Sequence, residues 1–179
     1  MGIKNLFKLI NTQAPNAISE KKMNEYANKV IIIDASIVIY QYVIAIRNTG
    51  KDLKNEKGAM TTHIIAVINK AFTLLSYNII PVFILDGKAN KLKDNILQER
   101  RNIKNKSIKN LKDNKYKDDK ERIKDFKKSF VLTNKHIIEV ETVLKLFGIP
   151  TIRNSSEADP LCAELVKKNL GYGVASEDM

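Results

Sequence analysis

The sequence predicts an α/β domain built on parallel strands, and three observations carry that expectation. Apolar, β-branched runs of strand length alternate with segments of helical periodicity. Three of those runs end on carboxylates: Val30-Ile31-Ile32-Ile33-Asp34, Val82-Phe83-Ile84-Leu85-Asp86 and Gly173-Val174-Ala175-Ser176-Glu177-Asp178. A further acidic pair, Glu157 and Asp159, stands just ahead of a helix-like stretch. Strands buried on both faces read as unbroken apolar runs, and ligands of such sheets sit beyond the strands' carboxyl ends. Carboxylates gathered there repel one another unless a cation neutralises them. A hard divalent ion such as Mg²⁺ is held in this way, by a few oxygens and retained water.

Taken in order, residues 1–28 are polar and mixed, with a short helix predicted over 3–10. The strand at 30–34 runs into a predicted helix over 36–46. Its β-branched residues disfavour that helix, so burial must override propensity. Gly50 and Gly58 punctuate a loop over 48–59. Ile64, Ile65, Ile68, Phe72 and Leu75 fall at helical spacing over 61–76. Pro81 opens the next strand. A second amphipathic helix, over 133–147, has Thr133 placed to cap it and Gly148 followed by Pro150 to stop it. A short strand at 151–153, a helix and the strand from Gly173 complete the order, and no repeat is present.

The 179 residues suit one domain, with 44% hydrophobic content for its core. Cys162 is the only cysteine, which excludes a disulfide framework and a thiolate zinc site and suits a reduced, intracellular protein. His63 and His136 read as ordinary helix-face residues. The amino terminus lacks the apolar core of a signal peptide, and the longest apolar stretch, at 30–46, is broken by Asp34 and Gln41. A soluble protein without a membrane partner is expected.

Charge is the remaining clue. The net charge is +11; residues 88–128 hold 16 Lys and Arg against 7 Asp and Glu, and the remainder hold 15 against 13. Its few apolar residues recur at helical spacing in too thin a stripe for deep burial, which predicts an exposed helical excursion. A local basic segment beside an acidic site suggests a polyanion, nucleic acid above all. A solvated lysine-rich helix is the bland alternative.

Several short motifs carry a family resemblance. They are Met1-Gly2-Ile3, Ile32-Ile33-Asp34-Ala35-Ser36 with Tyr40-Gln41, Asp86-Gly87-Lys88, Gly148-Ile149-Pro150, Ser156-Glu157-Ala158-Asp159 with Cys162-Ala163, and Glu177-Asp178-Met179. In order and in spacing, over the whole sequence, they resemble the eukaryotic and archaeal flap endonucleases of the xeroderma-pigmentosum-group-G superfamily. The resemblance implies a mixed, mainly parallel sheet flanked by helices, a PIN-like 5′ nuclease core, with 88–128 as a basic helical arch or cap. It implies a structure-specific 5′ flap endonuclease and 5′-3′ exonuclease, cutting flapped, nicked or gapped duplex DNA in replication and repair. Two Mg²⁺ ions, with Mn²⁺ as a substitute, are the implied cofactors. Asp34, Asp86, Glu157, Asp159 and Asp178 match metal-site carboxylates. Lys93 and Arg100 match catalytic gateway residues at the scissile phosphate, and Gly2, Tyr40, Arg47, Lys88 and Arg101 match DNA contacts. Core packing is the alternative for Tyr40.

Two departures from the pattern bear on mechanism. The family's Glu-Asp-Met-Asp motif sets its second carboxylate one position past Met179, so this chain is expected to be the amino-terminal portion of the enzyme. In the family, the rest of the sheet and a duplex-gripping helix–two-turn–helix element with bound K⁺ follow. A sliding clamp engaged through that later region, and a nuclear address in a eukaryote, belong to the same expectation. Asp159 replaces the family's Glu and is followed by Pro160, so it either reaches the metal, directly or through water, or caps the helix. Two other functions compete: an inert nucleic-acid-binding fragment, and a related 5′ nuclease acting on RNA.

Overall fold

The computed structural model describes residues 5–87, 94–114 and 116–176. After α1 (Leu6–Gln13) and two single helical turns, the chain enters β1 (Val30–Asp34), α2 (Ala35–Arg47), α3 (Thr62–Ser76) and β2 (Ile80–Leu85). A helical hairpin of α4 (Asp94–Asp113) and α5 (Asp119–Lys128) follows, then α6 (Asn134–Leu146), β3 (Thr151–Arg153), α7 (Ala158–Lys167) and β4 (Gly173–Ala175). The strands pair in the order β3-β2-β1-β4, and every pairing is parallel. An antiparallel strand that would make the sheet mixed is not seen among the described residues.

Alternation along the strands divides the core. Ile31, Ile33, Phe83 and Leu85 face α2, α3 and α6, where Val38, Ile39, Val67, Leu74, Val140 and Leu144 cover them. Ile32 and Ile84 face the other way, onto Ala158 and Cys162 of α7. Burial on both faces explains the unbroken apolar run of β1. It also explains why α2 forms against propensity: Val38, Ile39 and Val43 are withdrawn from water on its inner side. His63 and His136 are not the separate helix-face residues expected. Their rings meet at 4.5 Å between α3 and α6, and His63 Nε2 lies 2.7 Å from Glu139 Oε2.

Two boundaries differ from expectation, the first for an identifiable reason. β2 begins at Ile80, one residue before Pro81, because the amide that proline lacks faces the side where β3 has not yet begun. Ile80 N donates to Lys29 O on the β1 side, and Phe83 N to Pro150 O on the β3 side. Helix α1 lies three residues later than the predicted 3–10, at Leu6–Gln13. The start and stop signals of α6 act as expected. Thr133 Oγ1 accepts from His136 N, and Ile149 N closes back on Leu144 O across Gly148, whose φ is +68°.

A Cβ on Gly148 meets nothing within 4 Å, so Gly148→Ala isolates the backbone term. It is expected to lower stability by about 1 kcal/mol, read by chemical denaturation, from left-handed strain alone.

Candidate metal centre

Strand β1 delivers Asp34 to the point where the sheet gives way to α2. Its Oδ1 accepts from the amides of Ser36 (2.7 Å) and Ile37 (3.3 Å), so the carboxylate caps the helix while lying only 6% exposed. One strand over, Asp86 follows the last residue of β2. Its Oδ2 accepts from Ser36 Oγ at 2.5 Å and its Oδ1 from the Ala158 amide at 2.7 Å. The two carboxylates are therefore held by the amino-terminal ends of α2 and α7, where helix dipoles favour negative charge.

Ser36 is the functional residue that the reading of single positions missed. Its amide serves Asp34 and its hydroxyl serves Asp86, so one residue spaces the two acids. The signal was present in the Asp-Ala-Ser triplet after the strand, but a serine two residues past an acid reads first as a capping partner.

The loop before α7 is locked against Asp86. Gly87 N donates to Ser156 O at 2.8 Å, and a Cβ on Gly87 would stand 2.3 Å from Asn154 O, so glycine is required by close approach. Asn154 Nδ2 donates to Glu157 O at 2.6 Å. Glu157, half-buried, is the N-cap position of α7, although its side chain makes no cap bond. This corrects the capping alternative for Asp159, which lies inside the first turn and is exposed. Pro160 is tolerated there because the first four amides of a helix have no partner within it.

The electrostatics show the acids sharing one field. Burial, then the charges of Asp86 and Asp159, push the Asp34 carboxyl up to about 6 against the opposing Ser36 and Ile37 amides. Burial also pushes the Cys162 thiol up to about 12, with Asp34, Asp159 and Asp86 adding to the effect. These are hard oxygen donors that repel one another, which is the donor set that suits a hard divalent cation. Asp34 and Asp86 could offer oxygens to such an ion, with Asp159 beside them; among the described residues no three acidic, histidine or cysteine side chains stand close enough together to hold one.

The other expected site residues separate into three groups. Tyr40 is 38% exposed on α2; its hydroxyl accepts from Leu132 N at 3.2 Å and its ring meets Phe130 edge-on at 5.3 Å. Arg100 and Arg101 lie exposed on α4. Arg47, expected to contact DNA, is 6% exposed and pairs with Asp52 at 2.8 Å. Gly2, Lys88, Lys93 and Asp178 lie outside the described residues.

Comparison with known proteins places this geometry. The model of the XPG N-terminal domain matches residues 1–107, and the chain belongs to that family. Flap endonuclease 1 of Entamoeba histolytica is 38% identical over 181 aligned positions, covering all of this chain and 48% of that protein. Flap endonuclease 1-A of Oryza sativa subsp. japonica is likewise 38% identical, with 100% of this chain and 48% of its own length covered. Among solved structures, the catalytic core of Rad2 in complex with DNA substrate superposes with a TM-score of 0.66 at 28% identity, covering 99% of this chain and 45% of that one. Flap endonuclease-1 from Methanococcus jannaschii gives a TM-score of 0.63 at 25% identity, over 89% and 51% of the two chains. The chain thus spans about half the length of the curated relatives it matches. No helix among the described residues is long and apolar enough to cross a membrane.

The raised Asp34 carboxyl has a consequence for stability. An unfolded Asp titrates near 3.8 and the folded one near 6, so the folded state holds the extra proton between those values. In metal-free buffer the contribution of Asp34 to stability is fully present below pH 4 and is lost as pH rises through 6. Asp34→Asn keeps an N-cap oxygen and removes the charge. It is expected to stabilise the metal-free protein at pH 7.5 by on the order of 2 kcal/mol and to flatten that pH dependence. Thermal melts with and without Mg²⁺ read the result, and the variant should lose most of any Mg²⁺-induced rise in Tm.

Proposed function

We propose that this chain is the catalytic amino-terminal portion of a metal-dependent, structure-specific 5′ flap endonuclease acting on DNA. The observation that carries the reading is the pair of carboxylates at the ends of adjacent parallel strands, spaced by Ser36 and sharing their field with Asp159. Family membership and the likeness to a nuclease core solved with DNA substrate support it.

In this reading Asp34 and Asp86 are the central ligands, Asp159 and Glu157 complete the site from the start of α7, and Asp178 is a further carboxylate ligand. Two divalent cations, Mg²⁺ by preference, would supply Lewis-acid activation of water and stabilise the leaving oxygen of an in-line phosphodiester displacement. The chain's own task is to hold oxygen donors at fixed spacing against their repulsion, which the strand ends, the Ser36 hydroxyl and the Ala158 amide accomplish. Lys93 and Arg100 stabilise the charge that develops on the scissile phosphate. Arg101, Lys88 and Gly2 meet the DNA backbone, and Tyr40 offers a ring to a base beside the cut. Residues 88–128 form the arch over this site, and their charge recognises the shape of the duplex through phosphates rather than bases.

Asp86→Ala is expected to abolish cleavage of a 5′-flap substrate at saturating Mg²⁺ while leaving DNA binding within about threefold. Undiminished cleavage by that variant would refute the assigned role. Salt-sensitive binding by the wild-type protein with no cleavage at any Mg²⁺ concentration would instead favour the non-catalytic binding reading.

A further inference from the structure

Arg47 occupies the last turn of α2, and an arginine buried there must have its donors matched. Its Nε and Nη2 donate to the two carboxylate oxygens of Asp52 at 2.8 and 2.9 Å. Its Nη1 donates twice, to the Phe126 carbonyl at 2.6 Å and to Ser129 Oγ at 3.0 Å. The guanidinium carbon lies 4.2 Å from the Phe126 ring centre and 5.3 Å from that of Phe130. Fork and face of the guanidinium are both engaged within the chain, which leaves little of it for a phosphate.

Phe126 and Ser129 lie at the returning foot of the basic hairpin, and Asp52, in the loop after α2, holds the guanidinium toward them. The 10-residue helix α5 buries no residue of its own, and a helix of that length is marginal in water unless docked. Its contacts with α2 therefore decide where it stands. Besides the Arg47 set, they include Lys127 Nζ donating to Asn48 Oδ1 at 2.8 Å. The two helices of the hairpin are tied together around Asp125, whose carboxylate accepts from Ser107, Asn110 and Tyr116. Fixing the foot of a hairpin braced in this way constrains where the rest of it stands. Helix α2 begins at Asp34 and carries Tyr40, whose ring packs on Phe130 beside Arg47.

We infer that Arg47 is a positioning residue that clamps the foot of the α4–α5 hairpin, through Asp52, Phe126 and Ser129, to the helix presenting Asp34 and Tyr40. In doing so it sets where the cationic hairpin stands relative to the carboxylates. The functional half of this inference rests on the nuclease reading; the clamp itself does not.

The test compares Arg47→Lys, Arg47→Ala and Asp52→Asn in the native protein by amide hydrogen exchange and by the salt dependence of 5′-flap DNA binding. Lysine keeps the charge but cannot reproduce the bidentate fork or the stacking. A clamp predicts that Lys fails to rescue: exchange over 119–130 quickens about tenfold or more in both Arg47→Lys and Asp52→Asn, with α3 and α6 unchanged. The slope of log affinity against log salt stays that of wild type, and single-turnover cleavage slows more than binding weakens. A phosphate contact predicts the reverse. Lys would then preserve binding, Ala would flatten the salt slope by about one, Asp52→Asn would tighten binding, and exchange over 119–130 would not move. Should Arg47→Lys unfold globally, Asp52→Asn decides, since it keeps the arginine and both ring contacts. Quickened exchange in a wild-type background that cleaves nothing would retain the clamp and refute the nuclease reading, so the two stand or fall separately.

Discussion

Parallel pairing of β1 with β2 sets Asp34 beside Ile84, so the two apolar strands release their acids, Asp34 and Asp86, at the same edge of the sheet. That register imposes like-charge crowding in a half-buried place, and most of the surrounding structure answers it. The amides at the start of α2 face Asp34, the Ala158 amide at the start of α7 faces Asp86, and the Ser36 hydroxyl bridges to the second acid. Gly87 lets the 154–157 loop approach closely enough to bring α7 into place. None of these groups carries full positive charge. The repulsion is moderated rather than cancelled, which leaves Asp34 protonating well above the usual carboxylate range and leaves the site receptive to a cation.

The core provides the rigidity that such a site demands. Ile33, Phe83, Ile84 and Leu85 are fully buried immediately behind the acids, and helices lie on both faces of the sheet. Close packing there fixes strand ends to within the tolerance of ligand geometry. The α4–α5 hairpin is built on different principles. Among its described residues no apolar side chain is buried; it is held together by polar bonds to Asp125 and meets the body through Arg47 and its neighbours. A strongly cationic element can be exposed to a polyanion only if it is not needed to cover the core, and a polar clamp allows both.

Much of the centre was legible because its chemistry is written in contiguous residues. An apolar run ending in Asp, met twice, announces both the strands and the acids, and helix stop signals such as Gly148 act locally. Less legible were positions whose role depends on a distant partner. Asp159 followed by proline suggested a cap, yet the loop bonded by Asn154 makes Glu157, two positions earlier, the N-cap. The two histidines, 73 positions apart in sequence, face each other because α3 and α6 lie side by side.

The fold class, the acids at the strand ends and the concentration of basic charge in one segment were determined by the sequence alone, since strand hydropathy, acid placement and local charge need no tertiary information. Which cation is engaged within the chain was decided only in three dimensions. Arg47 is one more basic residue near a basic segment until the fold brings Asp52, Phe126 and Ser129 around it. Burial then converts a mobile surface charge into a fixed joint, because a guanidinium withdrawn from water must take its hydrogen bonds from the chain.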